Sequence, residues 1–216
     1  MAFDAISVFK KSFILLFTDP LLFSLAVIYA IIYILFGAYT SSLNVTNLTV
    51  SGISAVGISY ILIYAVLIFL AGTFISGMVF VRVSGKKKNV KEVIVKALKR
   101  YPALLATTFL TSVIIALGFI AFVIPGIYLS LKLILSPVSS VIEDKSPVDA
   151  IKRSWNMTFG NWWYLFAMVL LFIVVIFISG LVPYVSYFFS FLLVISYPLV
   201  FMLLAGKRAS VKRRMA

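Results

Sequence analysis

Long apolar runs dominate the chain, separated by prolines, glycines and short charged stretches. Six of them approach or exceed the roughly 20 residues a helix needs to cross a bilayer: 21–39, 53–81, 102–124, 127–142, 162–179 and 184–204. The first opens at Thr18-Asp19-Pro20, cap residues followed by proline at the first helical position. The third stops at Pro125-Gly126, and the fourth is short and carries Lys132 and Pro137. Open strands leave backbone groups unpaired in hydrocarbon, so the spans are read as helices. The pattern predicts an all-α integral membrane protein with six transmembrane helices.

Between the spans the period changes. Ala2, Ile6, Phe9, Phe13 and Leu16 recur at helical spacing, as do Val90, Ile94, Ala97 and Tyr101, and again Val148, Ile151, Trp155 and Phe159. Each stripe lies beside lysines or arginines and leads into a span, at Asp19-Pro20, Tyr101-Pro102 and Asn161-Trp162. Asn89 with Glu92, and Ser146 with Asp149, have the spacing of a capping box. Phe9-Lys10-Lys11-Ser12-Phe13 also parallels Ile151-Lys152-Arg153-Ser154-Trp155. The chain is therefore expected to be one membrane domain, 1–216. It would contain three repeats, about 1–83, 84–143 and 144–206, each a cytoplasmic interfacial amphipathic helix plus a transmembrane hairpin. A basic tail, 207–216, follows.

Composition makes lipid the solvent. The 216 residues are 63% hydrophobic and 12% charged, against about 45–50% and about 25% in soluble domains. A single core cannot hide that excess in a chain this short. The net charge of +13 raises nucleic acid or an anionic surface as partners. Its distribution favours the surface, since all the basic residues but Lys132 fall in 1–19, 82–101, 143–161 and 207–216. The opposite connections, 40–52, 125–126 and 180–183, carry no charge. This bias predicts cytoplasmic N and C termini in a multi-pass cell-membrane protein. Asn44 and Asn47 each begin a glycosylation sequon in the long outer connection. With no Cys and no His, thiolate and imidazole chemistry and most zinc and haem sites are excluded.

A longer pattern runs from Pro125-Gly126-Ile127-Tyr128-Leu129 through Lys132 and Ile142-Glu143. It continues in Ser146-Pro147-Val148-Asp149-Ala150-Ile151-Lys152-Arg153-Ser154-Trp155 and ends in Gly160-Asn161-Trp162-Trp163. It resembles the superfamily of six-span prokaryotic proteins that includes the YciC-like inner-membrane proteins. The membrane domain attached to some glycerophosphodiester phosphodiesterases belongs to the same superfamily. The resemblance implies a helical membrane bundle of largely uncharacterised role. It does not imply phosphodiesterase activity, which belongs to a separate soluble domain.

Candidate chemistry is sparse. Lys132 is the one ionisable residue at membrane depth, which makes it a candidate functional site. It either snorkels to the outer interface, bonds a carbonyl, or holds a substrate or anion, with Ser136, Ser139 and Ser140 extending a polar track. Tyr29 with Tyr33, and Tyr60 with Tyr64, are intramembrane pairs that either line a polar cavity or bond backbone carbonyls. Gly72 with Ser76, and Thr73 with Gly77, allow close helix packing.

Trp155, Trp162, Trp163 and Tyr164 form an expected aromatic belt at the cytoplasmic interface. Lys86, Lys87, Lys88, Lys152 and Arg153 are candidate headgroup contacts on the anionic cytoplasmic leaflet. Glu143-Asp144 is expected to pair with the basic segment 82–101. No cofactor, metal site or nucleic-acid module is expected, nor catalysis. Two readings follow. One is a non-enzymatic protein whose basic collar engages anionic lipids or a protein partner, which includes a second copy. The other is a small-solute or ion transporter using Lys132 and the inner tyrosines. The abundance of Lys and Ile with no Cys or His suits an archaeal source.

Overall fold

A computed structural model describes residues 5–42, 55–85, 89–181 and 185–215. Among the described residues every regular element is a helix. In chain order these are α1 (Ala5–Thr18), α2 (Pro20–Ser42), α3 (Ala55–Ser84), α4 (Val90–Ala121) and α5 (Val123–Leu133). They continue as α6 (Ser136–Ile142), α7 (Pro147–Thr158), α8 (Trp162–Ser179) and α9 (Val185–Met215). Five stretches are long and apolar enough to cross a membrane: α3, α4, α5 with α6, α8 and α9. A sixth appears if the bent pair of α1 and α2 counts as one span. The chain is an all-helical, multi-pass membrane protein.

The corner between α1 and α2 turns through 96°. One carboxylate holds it. Asp19 accepts the Leu21 N–H at 3.1 Å, capping α2 as its position before Pro20 predicts. Arg82, at the end of α3, donates to both Asp19 oxygens at 2.6 and 3.1 Å. The break expected at Tyr101-Pro102 is absent, and α4 runs unbroken through Pro102. Proline removes only one helical bond there, which neighbours in a membrane bundle can absorb. The Tyr101 phenol, donating to the Leu70 carbonyl of α3 at 2.8 Å, ties that turn down.

Asn89 stands in extended backbone at the head of α4, but its side chain makes no capping bond, so the expected box with Glu92 does not form. Ser146 does cap α7, accepting the Asp149 N–H at 3.3 Å and donating to the Asp149 carboxylate at 2.6 Å. Between α7 and α8 the chain turns at Gly160, whose φ of +79° suits a residue without Cβ. The last helix continues to Met215, so the basic tail extends α9.

Burial separates inner from outer helices. Half of the α5–α6 span and 44% of the α9 span are buried, against 22% in each of α3, α4 and α8. Phe191, Leu192, Ile195, Val200 and Phe201 of α9 supply much of the core. Large apolar side chains such as Leu62, Phe109 and Ile173 remain exposed on the outer helices, where lipid tails are as apolar as they are.

The three stripes read from the sequence coincide only in part with the faces that pack: Leu16 and Ala97 are stripe residues that are buried, whereas other members face outward. Val8, Ser12 and Leu16 of α1 are buried, while Ile6 and Phe13 are exposed. In α4 the buried residues are Val93 and Ala97, with Val90 and Ile94 outside. In α7 they are Ala150, Ser154 and Met157, with Val148 and Phe159 outside. Small and hydroxyl-bearing side chains let the helices approach, and in lipid the larger apolar ones lose nothing by facing outward.

Candidate functional site

The span of α5 and α6 is broken at Ile134 and Leu135. Its cause is local. Pro137, in the first turn of α6, has no N–H for the Leu133 carbonyl one turn back. A break inside a membrane bundle must find other partners for the freed groups, and α7 supplies them. The Ser154 hydroxyl donates to the Lys132 carbonyl at 2.7 Å and accepts the Leu135 N–H at 3.2 Å. Thr158 Oγ1 lies 3.4 Å from the same carbonyl. One buried hydroxyl thus stands in for the missing helical turn.

Lys132 sits at this break, 3% exposed. Its Nζ lies 5.5, 5.4 and 5.1 Å from the ring centroids of Tyr128, Trp155 and Phe159. No carboxylate among the described residues lies within ion-pair distance of it. The charge is met by ring faces, whose quadrupoles attract a cation. Tyr128 is one turn earlier on the same helix, where a lysine stem naturally leans; Trp155 comes from α7 and Phe159 from the residue that ends it. Lys132 is thus buried with its amine facing aromatic rings. Its ammonium is roofed by the helix that carries Lys152 and Arg153.

The aromatic belt narrows accordingly. Trp155 meets Tyr128 edge-on at 6.0 Å and helps cover Lys132. Trp162 stacks on Phe166 at 5.3 Å, its indole N–H buried without a partner. Trp163 and Tyr164 are exposed.

A cavity of about 260 Å³ lies against the same break, bordered by Ile134 and Pro137. Tyr29 and Tyr33 of α2, Thr73 and Ser76 of α3, Thr108 of α4 and Tyr197 of α9 supply its oxygen atoms. Tyr29 and Tyr33 pack at 4.6 Å between ring centroids. Tyr64 is exposed and does not line the cavity, and the Tyr60 side chain lies outside the described residues. Tyr197 escaped the sequence reading, although a tyrosine inside the last span, directly before Pro198, was the available signal.

The predicted track from Lys132 to the tyrosines is not continuous. Ser136 and Ser139 are fully buried with unpartnered hydroxyls, and Ser140 donates to the Pro137 carbonyl at 2.8 Å. Neither Lys132 nor Ser136 borders the cavity. Of the small residues of α3, Gly72, Thr73 and Ser76 open onto it. Gly77 does close a helix contact, since a Cβ there would meet Leu104 of α4 at 2.9 Å.

On the charged surface, Arg153 grips Glu143 through contacts of 2.7 to 3.1 Å. Arg100 pairs with Asp144 at 2.6 Å. The expected pairing with segment 82–101 thus holds for Asp144, while Glu143 is held by α7. Lys152 is exposed. Lys86, Lys87, Lys88, Asn44 and Asn47 lie outside the described residues.

The family model described as "Uncharacterised protein family (UPF0259)" matches residues 66–204. A UPF0259 membrane protein of Buchnera aphidicola subsp. Baizongia pistaciae is 30% identical over 118 residues, 53% of this chain and 47% of that protein. One from Buchnera aphidicola subsp. Acyrthosiphon pisum is 31% identical over 93 residues, 41% of this chain and 36% of that protein. Another, from Sodalis glossinidius, is 32% identical over 60 residues, 28% of this chain and 24% of that protein. The chain matches less than half the length of each of these curated relatives. No solved structure matches. These relatives are named as membrane proteins, and neither the YciC-like nor the phosphodiesterase-associated group is among their names. These relatives are bacterial, so an archaeal source gains no support.

Proposed function

The chain belongs to the UPF0259 family, and from that premise we propose that it acts without catalysis, as a membrane protein whose basic collar engages anionic lipid headgroups of the cytoplasmic leaflet. One observation carries the reading. Val148, Lys152 and Trp155, spaced by a helical turn, are exposed along one face of α7, and Phe159, also exposed, follows directly at its end. A helix with apolar side chains flanking a free lysine suits the headgroup boundary, its stripe toward the acyl chains. Each juxtamembrane basic residue adds about 1 kcal/mol of attraction to an anionic leaflet. The charge asymmetry orients both termini to the cytoplasm.

In this reading α1 with α2, and α7 with α8, are two copies of one unit, an interfacial helix that turns sharply into a span. In the middle copy the two parts are fused as α4. Asp19, Glu143, Asp144 and Asp149 are held in ion pairs or caps, which leaves little acid–base chemistry for catalysis. A protein partner, a second copy included, is the alternative occupant of the same face.

The test is thermal unfolding of the full chain in nanodiscs of phosphatidylcholine with and without phosphatidylglycerol. The anionic lipid is expected to raise Tm by several degrees, an effect lost in Lys152→Glu. It should also vanish in about 1 M salt, where screening shortens to about 3 Å. Equal Tm in both lipids at low salt contradicts the proposal. The transport reading draws on one observation, the cavity at a broken helix, which is where transporter sites form. Liposome flux insensitive to Lys132→Met fits a path through that cavity, because the ammonium is caged elsewhere.

A further inference from the structure

The cavity has a definite chemical character. Among the described residues, no side chain that lines it is charged. Thr73, Ser76 and Thr108 donate to the carbonyls of Phe69, Gly72 and Leu104 at 2.6 to 2.8 Å, so toward the cavity their oxygens can only accept. The phenols of Tyr29, Tyr33 and Tyr197 bring hydroxyls that both donate and accept. The remaining lining is apolar, including Ile68, Leu104 and Val194. At about 30 Å³ per water-sized atom, the space holds on the order of ten non-hydrogen atoms. Phe69 lines the cavity and is also exposed on the outer face of α3, so the cavity reaches the surface of the bundle.

We propose that this cavity is a binding site for an uncharged amphiphile of the bilayer, one that inserts a single hydroxyl or carbonyl between the tyrosines while its chain lies along the apolar wall. Burying an ionised phosphate or carboxylate without a countercharge costs far more than hydroxyls return, so charged lipids are rejected. A neutral oxygen is accepted because each hydrogen bond it forms replaces none lost to lipid. The Lys132 cage offers no rival site, since its three rings are already occupied by the lysine. The proposal stands apart from the lipid-collar reading, and its failure leaves any salt-sensitive effect of phosphatidylglycerol untouched.

The experiment uses the full chain in phosphatidylcholine nanodiscs and a hexadecyl alcohol bearing a diazirine, with labelled peptides mapped by mass spectrometry. Label is expected at the cavity residues of α2, α3 and α9. It should be competed by hexadecanol and not by hexadecyl phosphate or hexadecane. Competition by decylubiquinone or by dioleoylglycerol identifies a quinone or a glyceride as the neutral source.

Tyr33→Phe keeps the ring and removes one hydroxyl, so labelling should fall about three- to ten-fold. Gly72→Leu fills the space: its Cβ meets the Tyr33 hydroxyl at an unstrained 3.8 Å, and the rest of the side chain enters the cavity. Labelling should then drop to background with Tm preserved. If Gly72→Leu does not fold, Tyr33→Phe and the competition series decide alone. Labelling that hexadecanol does not saturate, equal competition by the phosphate or the alkane, or no change in Tyr33→Phe overturns the proposal.

Discussion

Lys132 shows how far one residue can be read from sequence. As the only basic residue outside the charged segments it stood out at once. Its surroundings did not, because Trp155 of α7 and Phe159 at the end of that helix arrive after a turn at Asp144, which holds a left-handed φ of 56°. Nothing in the apolar periodicity announces that return. The cage implies a measurable coupling. In a cycle of Lys132→Met and Trp155→Leu, the interaction free energy from unfolding in detergent should be about 0.5–2 kcal/mol. Additive effects would mean that the rings do not hold the ammonium. Ser154 makes a sharper case, since Ser154→Ala leaves the buried Leu135 N–H without its partner and the Lys132 carbonyl with only the 3.4 Å contact of Thr158. It should cost about 1–3 kcal/mol, and Ser24→Ala, which removes an exposed hydroxyl bonded within its own turn, less than about 0.5.

At the scale of the elements, the long apolar runs were legible because lipid leaves helices as their only option. The prolines were less so. Pro102 lies inside an unbroken α4, while Pro137 accompanies a full break between α5 and α6. The difference is in the partners: Ser154 and Thr158 wait beside the second, and periodicity cannot see across helices. The glycines carry a similar lesson. A Cβ on Gly118 would meet Leu129 at 2.7 Å and the Gly126 backbone at 3.2 Å, and one on Gly126 would overlap the Phe119 ring. The tight contact of α4 and α5 depends on both. Gly126→Ala should cost about 1–3 kcal/mol. Gly206→Ala, inside α9 with no neighbour within 4 Å, should lose nothing and gain up to about 1 kcal/mol. Similar effects at the two positions would mean that α4 and α5 are not packed so closely.

For the whole molecule, the gathering of basic residues into a few segments gives an expected membrane orientation, while the packing order of the helices was not legible. That α9 and the broken α5–α6 lie inside, with α3, α4 and α8 outside, depends on side chains meeting across the bundle. The lipid-collar reading needs every basic segment to face the same leaflet, and the absence of native cysteine gives a silent background for testing it. Single cysteines at Lys96→Cys, Lys152→Cys and Ser42→Cys can be probed in intact cells and in inverted vesicles with a membrane-impermeant maleimide. Positions 96 and 152 are expected to react only in inverted vesicles and position 42 only in intact cells. Labelling of positions 96 and 152 from opposite sides would contradict the account.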